Sequence, residues 1–255
     1  VTVSDGEVFV ENVGIILKPV SGAASPAALL VLGGKAHLRN VAVFCGGDRP
    51  ATAFSLRAGD VSAENSLFTG LRGIEQYGGK LLCDSCLAEN NRTEGVVVFN
   101  QSGDKLFSSA FQKLKANRNG IQGVAVMSGA DVSLSDCQIN ENGTNGADVL
   151  AGGSASFNAC EVKNNRENGV VGSGDAKIIF IKGKAMENRY SGLAGINSAR
   201  ITVKESKLLD NGEFGFATLD SSLATEERNE ISGNRAGTSY RAPASAPAAD
   251  ASAKK

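Results

Sequence analysis

The chain has 255 residues, 42% of them apolar, with 26 Lys plus Arg set against 27 Asp plus Glu. A net charge this close to zero argues against the large field that draws nucleic acid or an anionic membrane, and no apolar run approaches a membrane span. One His and an odd count of five Cys argue against a His-centred base, a metal cluster and a disulfide framework.

In chain order, Glu7 to Val13 and Ile15 to Leu17 read as two strands of an early coil. Residues 21–30 form a looser connection. Ala36 to Val43, Asp60 to Phe68 and Lys80 to Ala88 then repeat one theme, an alternating strand followed by a bend. Val41, Ser66, Cys86, Phe111 and Cys137 are the expected equivalents, 25, 20, 25 and 26 residues apart. A solenoid absorbs unequal spacing in its turns, so the stretches Arg72 to Gly79 and Leu114 to Asn119 are where an irregular edge is expected.

The second half is regular. Asn119, Asn142, Asn165, Asn188, Asn211 and Asn234 follow one another at 23-residue intervals. A glycine stands four residues after most of them, at 123, 146, 169, 192 and 215, and an apolar residue follows each: Val124, Ala147, Val170, Leu193 and Phe216. The columns Val132–Ala155–Ile178–Ile201, Leu134–Phe157–Phe180–Val203 and Ile139–Val162–Ala185–Leu208–Ile231 keep the same interval. Alternation within each piece is strand periodicity, so the fold class is all-β, a single-stranded parallel solenoid. About nine coils stacked roughly 4.8 Å apart give a rod of about 40–45 Å. The expected domain is 1–237, with irregular coils over 1–119 and regular ones over 120–237. At its end the Val203 and Ile201 columns reach Glu226 and Ala224, as a polar terminal cap would require. Residues 238–255, rich in Ala, Pro and Ser, read as a disordered tail or linker.

Candidate sites are few. The six ladder asparagines are expected to be structural, each amide bonding to a turn backbone and to the next coil's amide. Arg92, Arg118, Arg166, Arg189 and Arg235 are read as a column directly after the ladder position, a mixed-charge ridge or a docking strip for an acidic partner. Cys86, Cys137 and Cys160 share an inward column that continues as Gly183 and Ser206. Cys83 and Cys86 are expected to point differently and to have no redox role. Unpaired thiols suggest a reducing, cytoplasmic or otherwise intracellular location, with secretion the alternative. In a secreted chain, Asn91, Asn100 and Asn142 would be sequons. No nucleophile elbow, P-loop or dinucleotide fingerprint is present, and no catalytic residue, metal ligand or cofactor is expected.

The segments Gly123 to Asn142 and Gly146 to Asn165 resemble the right-handed parallel β-helix repeats of the pectate-lyase-like superfamily. That resemblance implies the handedness. It also implies a choice between polysaccharide lyases, glycosidases and epimerases and the noncatalytic repeats of adaptor proteins. No Asp-Pro-His-Glu motif of the epimerases is present, and the free Cys look more like the adaptors. The expected function is therefore a noncatalytic protein-interaction scaffold, more a binder than an enzyme, with a protein partner and no nucleic acid or membrane insertion. The alternative is a secreted carbohydrate-binding or carbohydrate-cleaving β-helix. An open groove lined by carboxylates, Arg and aromatics would favour the sugar reading.

Overall fold

The structure, a computed structural model, describes residues 1–18, 27–47, 50–100 and 107–241. Every strand pairs in parallel with its equivalent one coil away, which makes a three-sided right-handed β-helix of about nine coils. The first sheet has eleven strands, from Thr2–Val3 to Gly237–Arg241, and the second ten, from Glu7–Glu11 to Leu223–Glu227. The third side has a three-stranded and a four-stranded piece, joined through single bridges at Leu87, Lys115 and Gln138.

Inward residues stack in register. Ile74, Val96, Val124, Ala147, Val170, Leu193 and Phe216 form one column of the first sheet, each at most 1% exposed. In the second sheet Leu134, Phe157, Phe180 and Val203 pair directly, and Phe157 and Phe180 lie with ring centroids 6.0 Å apart. A coil has no interior of its own. Each side chain is covered only by the same position above and below, so apolar identity recurs by column.

The irregular half departs from its expected register. Gln112 pairs with Asp84 and Ser135, so the equivalent of Cys86 and Cys137 is Leu114; Phe111 instead stacks on Cys83 and Leu134. Both residues are buried and apolar, so composition could not separate them. The added residues of this coil fall between the strands Val96–Phe99 and Ser108–Gln112, a stretch that includes 101–106, outside the described residues. Leu114 to Asn119 matches Cys137 to Asn142 residue for residue, and Ile74–Gln76 is an ordinary strand, so neither forms the expected irregular edge.

The ladder runs one step further back than expected. Asn91 donates its amide to Asn119 Oδ1 at 2.9 Å, which adds a seventh asparagine. Left-handed backbone falls on the residue before the ladder position, at Arg118, Glu141, Asn164, Glu187 and Asp210, with φ between 54° and 59°. The ladder side chains are thus selected for their amides and not for turn geometry. The glycine column has a related cause. A Cβ on Gly146 would lie 2.5 Å from Val162 Cγ1 and 2.8 Å from the Asn165 amide nitrogen.

At the C-terminal end Glu226 stacks on Val203, and Arg241 Nη2 lies 3.1 Å from its carboxylate, a polar closure of the apolar stack. Because Gly237–Arg241 is a strand, the expected tail boundary at 238 falls inside an element. The remainder of that tail, 242–255, lies outside the described residues.

Candidate functional site

Strand alternation sends every second residue of the first sheet outward, yet Val97, Ala125, Asp148, Val171 and Ala194, one outward column, are all at most 7% exposed. They are the floor of a groove along the axis. One wall comes from residues just ahead of the glycine column: Arg72, Glu94, Gln122, Asn145, Asn168 and Ser191. The other comes from residues two positions beyond the floor: Arg57, Tyr77, Phe99, Met127 and Leu150.

Besides Ser55, in register with Glu75, two carboxylates interrupt this floor. At one, Glu75 is 5% exposed and lies 2.5 Å from Arg72 Nη1, with Arg57 Nη2 3.9 Å away. Arg72 also bonds through Nε to Glu94 Oε2 at 2.7 Å. Burial works against charge on both Arg72 and Glu94, but their contact outweighs it: the Glu94 carboxyl is held below its usual range and the guanidinium stays protonated. Arg57 covers the Tyr77 ring at 3.9 Å, and Tyr77 stacks on Phe99 with centroids 4.9 Å apart and planes 10° from parallel.

The second is Asp148, three strands further on, about 14 Å along the axis. Its Oδ2 accepts from Gln122 Nε2 at 2.5 Å and its Oδ1 from Asn145 Nδ2 at 2.8 Å. Asn145 is held in turn by Asn168, whose amide donates to its Oδ1 at 3.1 Å. Burial raises the Asp148 pKa and the charge of Glu167 adds to the rise, while the two amide donors only partly offset it. An oriented carboxyl that keeps its proton to higher pH can donate it.

Linkage gives a direct check. Folding raises this pKa, so stability from Asp148 is fully present below the unfolded value near 3.9 and is lost as pH rises through the folded value. Asp148→Asn removes the buried charge; the new amide oxygen can still accept from Asn145 Nδ2, and Gln122 can rotate its amide to accept from the new NH2. The variant should melt above wild type at pH 7, with the gap closing near pH 3, in paired thermal scans.

The arginine column is broken. Arg92, Arg166, Arg189 and Arg235 follow ladder asparagines, but Arg118 precedes Asn119, and Gly120, Gly143 and Gly212 occupy the remaining places. Arg118 is turned to Glu89, 2.9 Å away. Arg118 and Arg166 do line one concavity, of about 480 Å³, with Gly120, Gly143 and Glu141. There is no continuous strip for an acidic partner. Among the described residues, the ladder amides bond to one another and to backbone carbonyls of neighbouring coils, at Ala88, Ala116, Ile139, Val162, Ala185 and Leu208.

All five thiols are free and buried, and none is bridged. The bend at Ser85 (φ 55°) turns both Cys83 and Cys86 inward, against the expected alternation. Burial alone keeps such thiols unpaired, so they carry no information about compartment. The sequons at Asn91 and Asn142 are 3% and 0% exposed ladder members, closed to glycans. Among the described residues no group of three His, Cys, Asp or Glu is placed to hold a metal, and no helix is long and apolar enough to cross a membrane.

Periodicity missed the groove because its polar members do not repeat. A signal was present, however: Glu75 and Asp148 each stand two residues after the column glycine, where the other coils carry Val97, Ala125, Val171 and Ala194.

Residues 48–182 and 122–244 match the family described as the right-handed β-helix region, and the chain belongs to it. No curated protein matches the sequence significantly. A crystal structure of the periplasmic alginate epimerase AlgG is similar over 94% of this chain and 70% of its own, with 14% identity and a TM-score of 0.67. A double mutant of the same enzyme is similar over 89% and 70%, with 15% identity and a TM-score of 0.68. Such identities establish the shared fold. They also overturn the expected kinship with noncatalytic, intracellular adaptor repeats, because the proteins matched are a periplasmic enzyme and its variant. The expectations of a scaffold, of no enzymatic role and of an intracellular site fall with it, and a protein partner has nothing to support it.

Proposed function

We propose that the chain is a carbohydrate-active β-helix, exported from the cytoplasm, that binds an extended polysaccharide along the groove of the first sheet and acts on it with Asp148 as proton donor. The observation that carries this reading is the buried, doubly hydrogen-bonded Asp148 carboxyl in the outward column of the first sheet. The walls suit such a ligand: the Arg57–Tyr77–Phe99 stack offers its ring edges to the apolar side of a sugar, and Gln122, Asn145 and Asn168 offer amides to its hydroxyls. The likeness to an alginate epimerase supports the substrate class.

A panel of neutral and uronate polysaccharides, followed by affinity electrophoresis and by proton NMR of the products, tests the reading. At least one chain should be retained and altered. Tyr77→Ala should weaken retention about tenfold, or about 1.4 kcal/mol. Asp148→Asn should bind as wild type but turn over at least about 100-fold more slowly. Retention of no polysaccharide, or full turnover by Asp148→Asn, would defeat the proposal.

A further inference from the structure

We propose a second catalytic site on the outer face of the second sheet, a Ser62–His37–Glu7 relay that transfers acyl groups from short-chain esters. It is separate from the groove and does not rest on the saccharide reading.

Three successive strands build it: Glu7–Glu11, Lys35–Arg39 and Asp60–Glu64. Their register aligns Phe9, His37 and Ser62 in one outward column, with Glu7 two residues from Phe9 on the same face. His37 Nδ1 lies 2.8 Å from Ser62 Oγ, and Nε2 lies 3.0 Å from Glu7 Oε1. An ionised carboxylate has no proton to give, so Nε2–H is the donor to Glu7 and Nδ1 keeps its lone pair for the Ser62 hydroxyl. That is the arrangement a general base needs, with an acid on the far side of the ring to orient it. Phe9 stacks on the imidazole at 4.6 Å and 15°, which fixes its plane.

The relay opens into a concavity of about 590 Å³, larger than the one between Arg118 and Arg166. Phe9 and Leu82, 65% and 56% exposed, give it apolar surface for an acyl group. Arg39, on the His37 strand and facing the same side, lines the same concavity and is paired with Glu64 on the Ser62 strand at 3.7 Å.

In the proposed step Ser62 Oγ attacks the ester carbonyl carbon while its proton passes to His37 Nδ1. Collapse of the tetrahedral adduct breaks the ester C–O bond, and the departing alcohol takes that proton. Water then attacks the acyl-Ser62 carbonyl, giving a proton to His37. The acid leaves, and the proton returns to Ser62 Oγ.

A fluorophosphonate probe on the wild-type chain, read by intact mass and peptide mapping, tests this directly, with p-nitrophenyl acetate hydrolysis measured alongside. The expected result is one adduct per chain, on Ser62, and ester turnover that Ser62→Ala abolishes. His37→Ala should slow both reactions at least about 100-fold, and Glu7→Gln less, with circular dichroism unchanged. A folded wild type left unlabelled at Ser62, or labelling equally fast in His37→Ala, would overturn the proposal. Polysaccharide retention by Ser62→Ala should be intact, which keeps the two sites distinguishable.

Discussion

Asn165→Ala should cost about 3–5 kcal/mol in denaturant unfolding, several times the loss at the ladder's end. Asn165 Oδ1 accepts from both the backbone N–H and the amide of Asn142, each at 3.0 Å. Its Nδ2 donates to Asn188 Oδ1 at 2.9 Å and to Ile139 O at 3.1 Å. Truncation leaves the Asn142 N–H and the Ile139 carbonyl without partners where water does not reach. The Asn142 amide keeps Ala116 O, and Asn188 Oδ1 keeps the Asn165 backbone N–H, so those two groups are only half deprived. Two buried orphans at about 1–3 kcal/mol each set the size of the effect. Asn234→Ala is the control. Its Oδ1 serves Asn211 in the same way, but its surroundings are partly exposed and no further ladder asparagine follows it among the described residues. Equal losses at the two positions would mean that the ladder is not a cooperative element.

The same ladder marks how far the sequence could be read. Inward columns were legible from Ile121 onward because each inward position meets only its own equivalent, so similar residues recur at one interval. Between Cys86 and Leu114 the interval lengthens by residues that belong to no strand. With two apolar candidates at hand, Phe111 and Leu114, the wrong one fits composition equally well. Arg118 is one position out for a different reason: it lies between Asn117 and Asn119, and the bonds of Asn119 to Asn91 and Asn142 put the ladder one residue after it. The groove is legible only as an exception to the columns. Its chemistry depends on residues that break the column, Glu75 and Asp148, and on Tyr77 meeting Phe99 across a coil boundary. Free thiols do not report the compartment here, because the interior shields all five.

The column of small inward residues supports a sharper test of packing. Cys137 and Cys160 are followed by Gly183 and then Ser206, and Gly183 is small for an identifiable reason. A Cβ there would stand 2.6 Å from both Cε1 and Cζ of Phe180 and 2.9 Å from the Cys160 carbonyl oxygen. The Phe180 ring occupies the volume that a side chain at 183 would need. Phe180→Ala should therefore cost about 3–5 kcal/mol, the loss of a fully buried ring with little room for the stacked sheet to collapse. Gly183→Ala alone should also destabilise, by about 1–3 kcal/mol, because the ring must shift against Phe157 and Val203. Once the ring is gone, the added methyl enters the vacated space. The double variant should then be more stable than the sum of the singles implies, by at least about 1 kcal/mol in a mutant cycle. Strict additivity would mean that the Cys160 carbonyl, and not the ring, keeps position 183 bare. The register of the second sheet would still stand, but the complementarity between its large and small columns would not.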